Sequence, residues 1–431
     1  MSFQQKRLAN QSVKFAFKLL PLALGTLISA NASAGFPTLY GKVFLTANVY
    51  DLEKNNFAAT PAVAATATTP AIPAGFRHTG ANGVAVELDS TAVDSTGSRI
   101  GILGDFGVAN DLTVFYRVEY GIDVDNGTNS NGRELTQRNV FGGIRGDWGQ
   151  VLVGKNDTPV KTLQTTSVLR TDLDRFNDYP LADIGTYIAG ENRPDNVIQY
   201  TSPILLGGLE INIAAIQAEE TGVDATPAAT TANPNPTPNR QDDNGFASGQ
   251  SVSVVYGKAK WYVGAAYESN VATADTARVA GEITVGPVKL GALYQTSERH
   301  EDFDTIGGLT STFVGSTGTG LGVQNGLNPL AEWDGASGTA YKEQDATVIN
   351  GQWKISGPWV AKFQVGRANS TPSAAYAEVK SDAAAIGLDY NLSDAARLFT
   401  YAAKLKTQGD AAINTVASVD KTFAVGLDFK F

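Results

Sequence analysis

Side chains able to do covalent chemistry are scarce in this 431-residue chain. It has no cysteine, and its two histidines are His78 and His300. Disulfides, thiolate metal sites and cysteine nucleophiles are excluded together, and histidine-based catalysis or a multi-histidine metal centre nearly so. Asp123, Asp125 and Glu134 have the spacing of positions 1, 3 and 12 of a calcium loop. Gly127 and Thr128 spoil positions 5 and 6, which require a ligand and a glycine, so the segment reads as a solvated loop. Gly318-Thr319-Gly320-Leu321-Gly322 lacks the strand-to-helix setting of a phosphate cradle. His300, Glu301, Asp302 and Asp304 contain ligand types for a divalent ion, yet they read as an exposed charge run. No cofactor and no metal are implied, and no nucleophile–base pair marks the chain as a hydrolase. The 33 bases and 43 acids give a net charge of −10. That balance lacks the basic footprint needed on a phosphate backbone, so no nucleic-acid partner is expected.

What remains is electrostatic chemistry, and the elements must say where charges are held. Lys6, Arg7, Lys14 and Lys18 precede an apolar run from Leu19 to Ile28, which ends at Ala32-Ser33-Ala34. A positive start, a short apolar middle and small residues at the cut describe a secretory signal peptide over 1–34, cleaved between Ala34 and Gly35. The run falls short of the roughly 20 apolar residues that a spanning helix needs. Cleavage removes four bases and no acid, taking the charge from −10 to −14. The mean hydropathy of −0.12 excludes a polytopic helical membrane protein. It does not exclude a β-barrel, whose strands show lipid only half their residues.

Period-two alternation recurs along the rest. From Leu39 to Tyr50 the odd positions are apolar or small, while even positions carry Lys42, Thr46 and Asn48. Leu112 to Ile122 sets Leu112, Val114 and Val118 against Thr113, Arg117 and Glu119, and Phe423 to Phe431 repeats the pattern. Such alternation means strands, in either a soluble sandwich or a membrane barrel. Connection lengths break the tie. Short turns lie near 105–111, 146–150, 205–208, 256–260, 286–287, 357–358 and 391–395. They alternate with longer segments near 51–97, 123–137, 156–196, 218–249, 268–277, 297–343, 368–381 and 407–419. This pattern predicts an all-β, 16-stranded antiparallel transmembrane barrel, with short periplasmic turns and long outer loops. Sixteen strands enclose a ring too wide for side chains to fill, leaving an aqueous channel. The low-complexity runs at 58–74 and 226–239 read as exposed loop, so residues 35–431 form one domain.

Several motifs then resemble the Gram-negative general porins. They are Leu39-Tyr40-Gly41-Lys42, Ser98-Arg99-Ile100-Gly101, Gln137-Arg138-Asn139-Val140, the stretch from Gly149 to Pro159, and Arg193 to Pro203. The terminal Phe431 is similar to the signal read by barrel-assembly machinery. The resemblance implies a homotrimer of 16-stranded barrels in outer-membrane lipid and lipopolysaccharide, passing ions and small hydrophilic solutes. It also implies a third loop, 156–196, folded inward to narrow the pore. Acids of that loop, Asp172, Asp174, Asp178 and Asp183, would face wall bases at Lys42, Arg99 and Arg138. Thr201 stands where some members carry a further base, which thins the basic side. The expected function is passive diffusion through a water-filled channel. A substrate-selective channel is the close variant, and an adhesive barrel or an outer-membrane barrel enzyme are the alternatives from other classes. The charge of −14 inclines toward weak cation preference, although outer-loop charge is screened beyond about 8 Å.

Overall fold

A computed structural model of the chain describes residues 33–34, 36–54, 57–60, 75–78, 86–109, 111–125, 134–165, 172–217, 246–272, 274–299, 341–372, 379–410 and 415–431. The alternating segments form sixteen staves. The first are β1 (Thr38–Lys54), β2 in two segments (Val86–Asp94 and Arg99–Ala109), β3 (Leu112–Ile122) and β4 (Leu135–Gly146). Then come β5 (Gly149–Lys155), β6 (Val197–Thr201), β7 (Leu209–Ile216), β8 (Gly249–Lys258), β9 (Trp261–Val271) and β10 (Ala274–Val285). The last are β11 (Val288–Arg299), β12 (Tyr341–Ser356), β13 (Trp359–Pro372), β14 (Val379–Asn391), β15 (Ala396–Asp410) and β16 (Thr415–Lys430). Each pairs antiparallel with its sequence neighbours. β16 returns to β1, from Lys42 opposite Lys430 to Asp51 opposite Lys421, and the sheet closes. Ser33–Ala34, at the expected cleavage site, adds two rungs beside Gly107 and Phe106 of β2.

Exposure along the strands decides between sandwich and barrel. In β8, Ser251 and Ser253 are 1% and 2% exposed, while Val252 and Val254 are 36% and 43% exposed. Serine inward and valine outward inverts the order of a soluble core and fits a wall with lipid outside and a polar lumen. Trp148, Trp261, Trp353 and Trp359 stand exposed at the short-turn ends, where Trp148 stacks on Tyr200 and Trp359 meets Tyr390 edge-on. These amphipathic rings form the interfacial girdle on that rim.

One connection differs from expectation. The segment 268–277 is not a long loop: β9 runs to Val271, β10 starts at Ala274, and only 272–273 join them. Its polar residues misled the sequence reading. Glu268, Thr276 and Arg278 are buried against material inside the barrel, so their polarity marks a lumen face rather than solvent.

That material is the third connection, L3, over 156–196. It opens with α1 (Pro159–Thr162), where Pro159 sits in the first turn and the Thr158 side chain accepts a hydrogen bond from the Lys161 N–H. The buried apolar cluster lies inside the barrel. Tyr179 of L3 packs on Phe44, Phe399 and Tyr401, with ring centroids 4.9, 4.7 and 5.0 Å apart. Each such pair contributes about 0.5–1.5 kcal/mol beyond area burial, enough together to hold a loop tip in the lumen.

Candidate functional site

Alternation alone points Lys42 inward. Across the β1–β2 ladder it lies directly opposite Arg99, the first residue after the interruption of β2 at 95–98. There the Ser98 hydroxyl accepts from the Phe44 N–H at 2.9 Å and donates to the Phe44 carbonyl at 3.1 Å. These bonds satisfy backbone that the break would leave unpaired. Arg138 arrives by another device. The β3–β4 register slips between Val118 and Tyr120, so Arg138 and Asn139 together oppose Glu119. A bulge of this kind re-aims side chains, and it turns Arg138 onto Glu119 with Nε 2.7 Å from Oε1. The Tyr40 hydroxyl donates to the same carboxylate at 2.9 Å, and Arg99 stands 4.0 Å away.

L3 brings an acid to these bases. Asp178 Oδ2 is 2.8 Å from Lys42 Nζ and 3.5 Å from Arg99 Nη1. Its backbone is left-handed at φ 73°, and its carbonyl accepts from the Thr96 hydroxyl. Gly97, itself at φ 75°, makes room: a Cβ there would fall 2.1 Å from Asp178 Cγ. Burial alone would raise the Asp178 carboxyl. The charges of Lys42, Arg99 and Arg138 outweigh it and hold the group well below the ordinary carboxylate range.

The other three aspartates serve the loop itself. Asp174 accepts from the backbone N–H groups of Phe176 and Ile184 and from the Gln364 amide. Asp183 caps the 3₁₀ turn Ile184–Thr186 and accepts from the Asp178 N–H at 2.8 Å. Asp172 accepts from the Asp174 N–H at 3.0 Å. Burial pushes Asp172 up to about 7 and, together with the Asp178 charge, Asp183 up to about 6. Asp174 is raised by burial and by its acidic neighbours Asp183 and Asp172.

L3 leaves one polar cavity of about 620 Å³, lined by Lys42, Arg99, Arg138 and all four aspartates. Sequence reasoning did not single out the charges on the neighbouring strands β13 to β16. Lys362 of β13 lies 3.1 Å from Asp389 of β14, and Arg397 of β15 reaches Asp389 and Asp428 at 3.2 and 2.8 Å. Lys362 Nζ also sits 4.0 Å from the Tyr179 ring centroid. Inward parity was the signal that could have found these residues. Thr201 donates to Asn212 at 2.7 Å. His300 to Asp304 and Gly318 to Gly322 lie outside the described residues. Among the described residues no group of three acids or histidines is gathered to hold a metal ion.

Phe431 sits at the seam. Its N–H donates to the Gly41 carbonyl at 3.2 Å, its carbonyl accepts from the Gly41 N–H at 2.9 Å, and its half-exposed ring stacks on Phe429. A Cβ at Gly41 would meet that ring at 2.3 Å.

The same barrel recurs in solved structures. The anion-selective porin of Comamonas acidovorans aligns over 93% of this chain and 100% of its own, with TM-score 0.55 at 15% identity. OmpT of Vibrio cholerae, in a trimer form, aligns over 93% and 100%, with TM-score 0.51 at 13% identity. Outer membrane protein U of Vibrio cholerae is 28% identical over 183 residues, 42% of this chain and half the length of that relative. The profile described as Gram-negative porin matches residues 22–410. A closed barrel with apolar residues outward, a charged lumen and this match along most of its length agree: the chain belongs to the Gram-negative porin family.

Proposed function

We propose that the protein is an outer-membrane diffusion channel for ions and small hydrophilic solutes, with its narrowest passage at the charged cavity beside L3. The observation that carries this reading is the polar cavity beside L3, lined by bases of the wall and acids of the loop, where Asp178 pairs with Lys42 and Arg99. Opposed charges at a constriction set up a transverse field that orients water and dipolar solutes and disfavours apolar ones. A unit pair about 10 Å apart interacts by only roughly 0.4 kcal/mol in water. A low-dielectric wall increases that value, and several charges add. On this reading residues 1–34 are removed after export and Ala34–Gly35 is the cut. The barrels assemble as a homotrimer in lipopolysaccharide-bearing membrane, and Phe431 contributes to recognition by the assembly machinery. Planar-bilayer recording of the purified protein tests the channel. Steps of ohmic conductance, together with swelling of proteoliposomes in small sugars, are expected. A folded barrel that yields neither would defeat the proposal.

A further inference from the structure

We infer that the central cavity selects for small hydrophilic anions, against the sign of the whole chain. The inference rests on the diffusion reading and names its solute class.

Acids of the lumen repeatedly lie between two bases. Asp178 lies between Lys42 and Arg99, and Glu119 between Arg138 at 2.7 Å and Arg99 at 4.0 Å. Asp157 lies between Arg193 at 2.8 Å and Lys161 at 3.2 Å. Asp389 lies between Lys362 and Arg397, and Glu282 between Arg175 and Lys289. Counted by group, Lys42, Arg99 and Arg138 outnumber Asp178 and Glu119 by one and Lys161 and Arg193 outnumber Asp157 by one, whereas Asp389 and Asp428 balance Lys362 and Arg397. Ten bases and eight acids line the cavity among the described residues.

Three of those eight are Asp172, Asp174 and Asp183, held by N–H groups rather than by a base at ion-pair distance. Burial raises all three, so near neutral pH they supply less than full negative charge. The bases are also fixed. Ion pairs hold Lys42 and Lys362 in position, and it is the arginines whose charge persists at any working pH. The net charge of −10 belongs to the whole chain, and charge on distant surfaces is screened beyond about 8 Å at physiological salt. The cavity lining is what a permeating ion meets.

Lys289, Lys362 and Arg397 each stand within the first four residues after a short turn, and Arg397 lies two strands from Lys42 along the same wall.

The test is reversal potential in a potassium chloride gradient, with uncharged-sugar flux as the control for an open pore. A chloride-to-potassium permeability ratio of at least roughly 3 is expected, the factor that a potential of about one kT supplies. The double variant Lys289→Gln/Lys430→Gln removes two cavity-lining bases and should lower the ratio while sugar flux persists. A ratio of one or below with normal conductance overturns the anion inference and leaves the diffusion reading standing. An unchanged ratio in the double variant overturns the assignment of selectivity to these bases. Absence of both current and sugar flux overturns both readings.

Discussion

At Asp178 a strained backbone, a buried carboxylate and two bases meet in one residue. Asp178→Asn would leave Lys42 and Arg99 buried without their counter-charge. It should loosen the L3 tip by roughly 3 kcal/mol, the cost of breaking a buried pair from one side, and shift reversal potential toward anions. Neutralising Arg99 and Arg138 together should shift it toward cations. If neither moves it, these residues serve the wall alone. Asp172 gives a pH handle. Its pKa is raised to about 7, with Arg175, Asp178 and Asp183 as charged neighbours. A raised carboxyl is charged above that pH and neutral below it. Acidification from pH 8 to 6 should therefore remove negative charge and strengthen anion preference, and Asp172→Asn should flatten that change. A selectivity independent of pH over this range would contradict the assignment.

Elements hold these residues through their ends and irregularities. Arg278, 1% exposed on β10, donates to Gln295, to Glu191 at 2.8 Å and to the Ala189 carbonyl at 2.9 Å, tying the returning limb of L3 to the wall. Arg278→Met should cost L3 anchoring about 2–5 kcal/mol. The expected readout is noisier single-channel current and passage of larger sugars, with the barrel still resistant to unfolding by detergent without heat. Unchanged noise and size limit would show that other bonds suffice. At the seam, deleting Phe431 removes two hydrogen bonds to Gly41 and the ring stacked on Phe429. The folded fraction in the membrane should fall, while conductance per surviving channel stays the same. Normal insertion of the truncated chain would refute that.

For the whole molecule, closure is the controlling fact. A membrane sheet has no water to satisfy an open edge, so pairing of β16 with β1 is what permits residence in lipid. The lumen that results is wide enough to need L3, and L3 brings the aromatic cluster around Tyr179 that fills one side. If the barrels associate as proposed, cross-linking of the protein extracted in mild detergent should give a ladder ending at three protomers, and a single monomer band would argue against it.

Strand positions and faces were legible where the alternation is clean, as from Leu39 to Tyr50, because a pleated strand has period two and lipid disfavours polar residues on its side. Lys42 is inward for that reason, as are Arg117 and Glu119. The 16-strand count followed from the short turns, even though 268–277 was misread. Lumen-facing Glu268, Thr276 and Arg278 are as polar as a loop, and nothing local says that L3 covers them. The partners of the charges were decided only by tertiary structure. Asp178 reaches Lys42 across 136 positions of chain, and Arg138 points at Glu119 because a bulge displaces the register there. Composition could not separate Asp178 from Asp172, Asp174 and Asp183. Folding separates them, since one carboxylate finds two bases while the others find backbone N–H groups.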